Sequence, residues 1–141
     1  MKLATLQAGK PLELEGLRIT PVPVHHAVPT LGFVIEEDAA AVVIVADTGP
    51  TEEIWEYANR TPNLKAVFLE ASFPDRMAAL AGIAGHLTAA MVGQEVRKLR
   101  RRVPVLAVHL KPPFRAQVAQ ELQALGLPEL AVARSDLVYE F

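Results

Sequence analysis

The chain has 141 residues, no cysteine and a formal net charge of −2. That length suits one domain, the missing thiols exclude disulfides and thiolate metal sites, and the faint negative balance gives no basic field for nucleic acid or an anionic membrane. With 51% hydrophobic residues a real core is affordable and disorder is excluded. The first ten residues lack the apolar centre of a signal peptide, and no stretch is long and uncharged enough to cross a bilayer, so a cytoplasmic location is expected.

In chain order, residues 3–7 and 11–24 read as strands, with turns near Gly9–Lys10 and Glu15–Gly16. Pro21 and Pro23 donate no backbone hydrogen bond, which argues against a central position for the end of the second run. Residues 32–36 form a short strand, Glu37–Asp38 a hairpin turn, and 41–46 the returning strand. Thr51 is a candidate N-cap for a short helix with Glu52 and Glu53 in its first turn, where carboxylates suit the positive end of the dipole. Ile54, Trp55 and Ala58 form its inward face.

Residues 65–70 make the next strand, and a helix through Arg76–Leu80 follows Pro74. Thr88 caps a longer helix reaching about Arg101, with Met91, Val92, Val96 and Leu99 as its apolar stripe. The cations Arg97, Lys98, Arg100, Arg101 and Arg102 gather near its end, where dipole and solubility explain them better than nucleic acid does. Residues 104–109 are a strand. Phe114, Val118, Leu122 and Leu125 recur at helical spacing until Gly126 stops them. Residues 129–133 and 137–141 close the chain as strands. Strands first and βα alternation afterwards point to an α/β fold with a mixed sheet. Residues 41–46 are apolar at every position and need cover on both faces. The few helices cover one.

Polar residues stand where these apolar strands end: His26 after 19–24, Asp47 after 41–46, Glu70 after 65–69 and His109 after 104–108. Chemistry collects at the carboxyl ends of strands in open α/β sheets, and two imidazoles with a carboxylate suit zinc or a related ion. Taken singly, Asp47 before Thr-Gly-Pro is a turn former, and either His25 or His26 is a candidate ligand. His86 serves equally as part of a helix entry, Glu70 leans towards a structural role, and Trp55 and Phe73 belong to the core. His109 has no local turn or cap role.

Five segments carry a resemblance: residues 26–33, Asp-Thr-Gly-Pro at 47–50, Glu-Ala-Ser-Phe-Pro at 70–74, Gly-His-Leu-Thr at 85–88 and His-Leu-Lys-Pro at 109–112. In order and spacing the chain resembles the metallo-β-lactamase-fold hydrolases, and more narrowly the class II 3′,5′-cyclic-nucleotide phosphodiesterases. The His-X-His-X-Asp-His motif usual in the N-terminal half of that family is absent, because no histidine precedes His25 and no aspartate precedes Asp38. The resemblance therefore covers the C-terminal half alone, with residues 1–141 as a single domain. It implies half of an αββα sandwich, a mixed sheet with helices mainly on one face.

Carried over residue by residue, the resemblance makes His26 a metal ligand, Asp47 the carboxylate bridging two ions and His109 the last ligand of the second. His86 assists proton transfer or meets phosphate, Glu70 orients His86, and Lys111 approaches a phosphate oxygen. The implied cofactor is a dinuclear centre of Zn2+, Mn2+ or Fe2+. The implied substrate is a small phosphodiester such as a 3′,5′-cyclic nucleotide, with a complementary N-terminal half or a second copy as partner. Two alternatives accompany it: a non-catalytic split relative that self-associates, and a tRNA 3′-processing endonuclease-like enzyme, which the absence of a broad basic face disfavours.

Overall fold

The computed structural model describes residues 5–141 and shows a mixed seven-stranded sheet whose spatial order follows the chain. Strands β1 (Leu12–Leu14), β2 (Leu17–Val24), β3 (Thr30–Glu37) and β4 (Ala40–Ile44) pair antiparallel. Strands β5 (Leu64–Glu70), β6 (Val105–Val108) and β7 (Leu130–Val132) then add in parallel. Between them run α1 (Glu53–Arg60), α2 (Ala78–Ala84), α3 (Ala89–Val96) and α4 (Arg115–Ala124). This is the α/β architecture expected from the order of the segments.

The β1–β2 turn places Glu15 and Gly16 at φ 50° and 87°, a left-handed pair of the kind that closes tight hairpins. β1 pairs β2 only as far as Ile19, so Pro21 and Pro23 sit on a free edge where no N–H is needed. The β3–β4 turn falls at Asp38–Ala39, one residue later than expected, because Glu37 still pairs with Ala40.

The core is one-sided. Val43, Val45, Val67, Leu69 and Val105 face the helices and are fully buried against Ile54, Trp55 and Val92. The other face carries Ile19, Ile35 and Val42 in one register row, and Phe33, Ile44 and Phe68 in the next. Among the described residues no helix covers these positions, and Ile44 is 37% exposed.

Several boundaries differ from expectation. Residues 5–7 are irregular, and positions 3 and 4 of that expected strand lie outside the described residues. Thr51 does not cap α1 through its side chain; Glu52 holds the N-cap position, and the Thr51 amide donates instead to Glu95 Oε2 at 3.3 Å. The segment after Pro74 opens as a 3₁₀ turn at Asp75–Met77 and continues as α2 to Ala84, where Gly85 at φ 68° ends it. Thr88 does cap α3, accepting from the Met91 amide at 3.4 Å.

α3 stops at Val96 rather than near Arg101. Its continuation is pulled into turns by side chains that bond outwards. Lys98 Nζ donates to the Thr51 carbonyl and the Arg101 guanidinium to the Pro62 and Asn59 carbonyls. Residues 137–141 alternate like a strand but join no sheet among the described residues; the segment crosses the helix-free face instead of pairing with β7. Tyr139 and Phe141 stand edge-on to Phe68 there, at 6.5 and 6.2 Å between ring centroids.

Candidate metal centre

The topology brings the polar strand ends together. β4, β5 and β6 are parallel, so Asp47, Glu70 and His109 emerge at one edge of the sheet. β2 is antiparallel to β3 and β3 to β4, so β2 runs parallel to β4 and delivers His25–His26 to that same edge. The loop from α2 to α3 closes over it, pinned by the bridge between Phe73 and Thr88, and brings in Gly85 and His86.

One side-chain atom from each of His26, Asp47 and His86 falls in a group whose members all lie within 4.8 Å of one another. His109 joins this group through a short hydrogen bond from Nδ1 to Asp47 Oδ1. The His86 ring centroid lies 4.9 Å from that of His26 and 5.7 Å from that of His109. His25 stays outside; it is exposed, and its carbonyl accepts from the Gly49 amide at 2.6 Å. Of the adjacent histidine pair, His26 is the one the fold turns inward.

The hydrogen bonds settle which imidazole nitrogen is free. His26 Nδ1 lies 2.7 Å from the Gly85 carbonyl, which only accepts, so Nδ1 carries the proton and Nε2 is bare in the neutral ring. His86 Nδ1 donates to Glu70 Oε1 at 2.5 Å, with the same consequence. His109 Nδ1 donates to Asp47. His26 and His86 thus leave Nε2 for a ligand, the arrangement of a ligand histidine held from behind by a carbonyl or carboxylate, whereas the Nδ1 partner of His109 is Asp47, a member of the group.

Glu70 is the hub beneath. It is 1% exposed and accepts four hydrogen bonds. Thr48 N (2.9 Å) and His86 Nδ1 reach Oε1, while Ser72 N (3.1 Å) and Leu87 N (3.3 Å) reach Oε2. One carboxylate therefore ties together the loop after β4, the end of β5 and the loop before α3. Such a charge is tolerated in the interior because every lone-pair direction is filled.

Two non-glycine residues of the site occupy left-handed backbone, Ala46 at φ 61° and His109 at φ 58°. These are uncommon for residues bearing a Cβ and cluster where chemistry is arranged. They turn the chain sharply after β4 and β6 so that the next side chain, or the residue's own, points along the edge. Lys111 Nζ sits 5.1 Å above the Phe73 ring, whose centroid is 5.7 Å from that of His86. It borders the group without entering it.

Sequence reasoning missed Gly85 and Ser72. A Cβ on Gly85 would lie 2.7 Å from the Ala27 amide nitrogen and 2.9 Å from His26 Cα, so only glycine lets the two loops touch. Ser72 Oγ lies 3.3 Å from His86 Nδ1 and donates to the His109 carbonyl at 3.4 Å. Both stand inside segments that carry the resemblance, 85–88 and 70–74, but nothing there beyond adjacency to His86 and Glu70 pointed to their roles.

Residues 1–110 match the beta-lactamase superfamily domain. No curated protein matches the chain. Solved structures share its fold at low identity. YhfI of Bacillus subtilis, a metallo-beta-lactamase fold protein, is 19% identical with a TM-score of 0.72, over 96% of this chain and 54% of that one. Human tRNase Z, short form, is 16% identical at TM-score 0.69, over 92% of this chain and 44% of that one. Zn2+-bound PqqB of Methylobacterium extorquens is 15% identical at TM-score 0.68, over 98% and 55%. The chain spans about half the length of these structures. Zinc occurs among such fold relatives, and this chain carries a His/Asp/His group able to hold an ion. The match over residues 1–110 makes the chain a member of the metallo-β-lactamase superfamily, and the part of the fold it represents is the one that carries this edge of the sheet.

Proposed function

We propose that the chain is the C-terminal half of a metal-dependent hydrolase acting on phosphodiesters, with small 3′,5′-cyclic nucleotides as the leading substrate class. The observation that carries this reading is the convergence of His26, Asp47, His86 and His109, with Nδ1 of each ring engaged and Nε2 free. The donor set of imidazole nitrogens and a carboxylate fits zinc or a related divalent ion. His26, Asp47 and His86 form the group that would hold it, and His109, which the resemblance also makes a ligand, is bonded through Nδ1 to Asp47. When bound, such an ion supplies Lewis acidity towards a phosphoryl oxygen and acidifies water.

The remaining steps fall to the chain's own groups. Glu70 keeps His86 Nδ1–H directed at itself, so Nε2 is the atom the ring would offer to the ion. Ser72 and the amides around Glu70 fix that orientation. Lys111, bordering the group over Phe73, is within side-chain reach of a substrate phosphate and supplies a point charge to it.

Two imidazoles and one carboxylate are a sparse set for two ions. An N-terminal half bearing the His-X-His-X-Asp-His motif is the partner that would complete it. The test measures zinc uptake, and hydrolysis of bis(p-nitrophenyl) phosphate and cyclic AMP, by the zinc-loaded chain alone and mixed with such a half. Turnover that disappears in Asp47→Ala supports the reading. Zinc uptake without turnover in either setting refutes the phosphodiesterase, and no zinc uptake refutes the metal centre.

The likeness to tRNase Z raises a second reading, cleavage of RNA phosphodiesters. The arginines at 97 and 100–102 do not favour it. They lie about the start of β6, at the sheet end away from the histidines, and Arg101 is committed to backbone carbonyls.

A further inference from the structure

We propose that residues 135–141 are a built-in cover for the helix-free face of the sheet, and that they keep two copies of the chain from pairing through it. The segment alternates as a strand does. Tyr139 and Phe141 turn towards Phe68 at 6.5 and 6.2 Å, and their rings stack 6.4 Å apart at an interplanar angle of 7°. Val138, just before them in sequence, faces away and is 89% exposed.

Phe141 reaches on to line a groove of about 200 Å³ with Leu17, Ile35 and Val42. Two aromatic rings thus rest on the β5 strand and on the row that joins β2, β3 and β4. These are apolar, half-buried positions of the sheet that face away from the helices.

What holds the segment is side-chain contact with few polar anchors. The Tyr139 hydroxyl accepts from the Arg134 amide at 2.9 Å, the Leu137 amide donates to the Arg134 carbonyl at 3.4 Å, and Arg134 pairs with Asp136 at 2.7 Å. No ladder joins the segment to a strand among the described residues. A cover made this way shields apolar surface at little backbone cost and lifts off without breaking the sheet. A contiguous apolar face left bare is a self-association surface. A second copy offers the same face, so a two-fold pairing of face on face is the association the cover forestalls. The segment would have to lift off before a complementary half could take this face, but the test reads neither metal nor turnover, so its failure is distinguishable from failure of the hydrolase reading.

The experiment compares three proteins by analytical ultracentrifugation and bis-ANS fluorescence at micromolar concentration: the full chain, the double variant Tyr139→Ala/Phe141→Ala, and a chain ending at Arg134. The expected result is a monomer with weak dye binding for the full chain. For both altered proteins, self-association is expected to tighten by at least about tenfold, with matching dye enhancement. Identical sedimentation and dye binding in all three would overturn the proposal, as would a full chain that already dimerises as tightly as the variants. Loss of cooperative unfolding in the double variant would also overturn it, since the segment would then be core and not cover.

Discussion

At the scale of single residues, Glu70 has the most consequences. Its two oxygens each accept two donors, so Glu70→Gln must turn an NH2 towards either Thr48 N and His86 or Ser72 N and Leu87 N. Donor then faces donor in a buried place. The variant is expected to lose about 2–3 kcal/mol of stability, read from urea denaturation, and its zinc affinity is expected to fall about tenfold or more because His86 is no longer aimed. Unchanged zinc titration curves would show that Glu70 does not position the site. Gly85→Ala is a second case. A left-handed alanine costs about 1–2 kcal/mol in backbone alone, and its Cβ displaces the His25–Ala27 loop. Zinc affinity measured by competition with a chromogenic chelator is expected to drop more for this variant than for Gly126→Ala, where the glycine is also left-handed but faces open space.

At the scale of elements, α1 and α3 are joined through a buried carboxylate. Glu95, 1% exposed, accepts from Trp55 Nε1 at 2.6 Å and from Lys98 Nζ at 2.7 Å, and Lys98 also bonds Glu52 and the Thr51 carbonyl. Glu95→Ala leaves the buried Trp55 indole N–H and the Thr51 amide without their acceptor, and is expected to cost about 3 kcal/mol in chemical denaturation. Partial burial pulls the Lys98 pKa down, but the hydrogen bonds and charges of Glu52 and Glu95 outweigh it, so the net displacement is upward. A raised folded pKa means that the contribution is complete below the unfolded value of about 10.4 and is lost as pH climbs through the folded one. Denaturation midpoints measured across alkaline pH are therefore expected to fall more steeply for the native chain than for Lys98→Met.

The same network shows why some boundaries were hidden in the sequence. The apolar stripe of α3 reads as helix beyond Val96, and nothing local announces that Lys98 and Arg101 will bend back to α1 and the loop after it. Tertiary bonds overrode a helical pattern. The site was more legible. His26, Asp47, Glu70 and His109 could be picked out because each interrupts an apolar run at a strand's carboxyl end, a position with chemical meaning in any parallel sheet. Gly85 and Ser72 could not, since their roles depend on which loop lands beside them. The final segment was misjudged for a related reason: period-two alternation identifies a residue's neighbours above and below it, but not whether a ladder partner stands beside it.

At the scale of the whole molecule, the apolar face and the half-length match belong together. A sheet with its core on one side only is what remains of a fold whose relatives run to about twice this length. The sheet's spatial order repeats the order of the chain, each strand lying against the one before it. A chain emerging from the ribosome can therefore build this sheet vectorially, every new strand finding its template already in place and never waiting for a distant one. The candidate metal centre, in contrast, is gathered from His26, Asp47, His86 and His109 and is whole only once β6 has docked. On the proposed metal centre, pulse-labelled refolding is expected to proceed at the same rate with or without zinc, the ion slowing unfolding alone. A refolding rate that rises with zinc concentration would show instead that the ion helps to nucleate the fold.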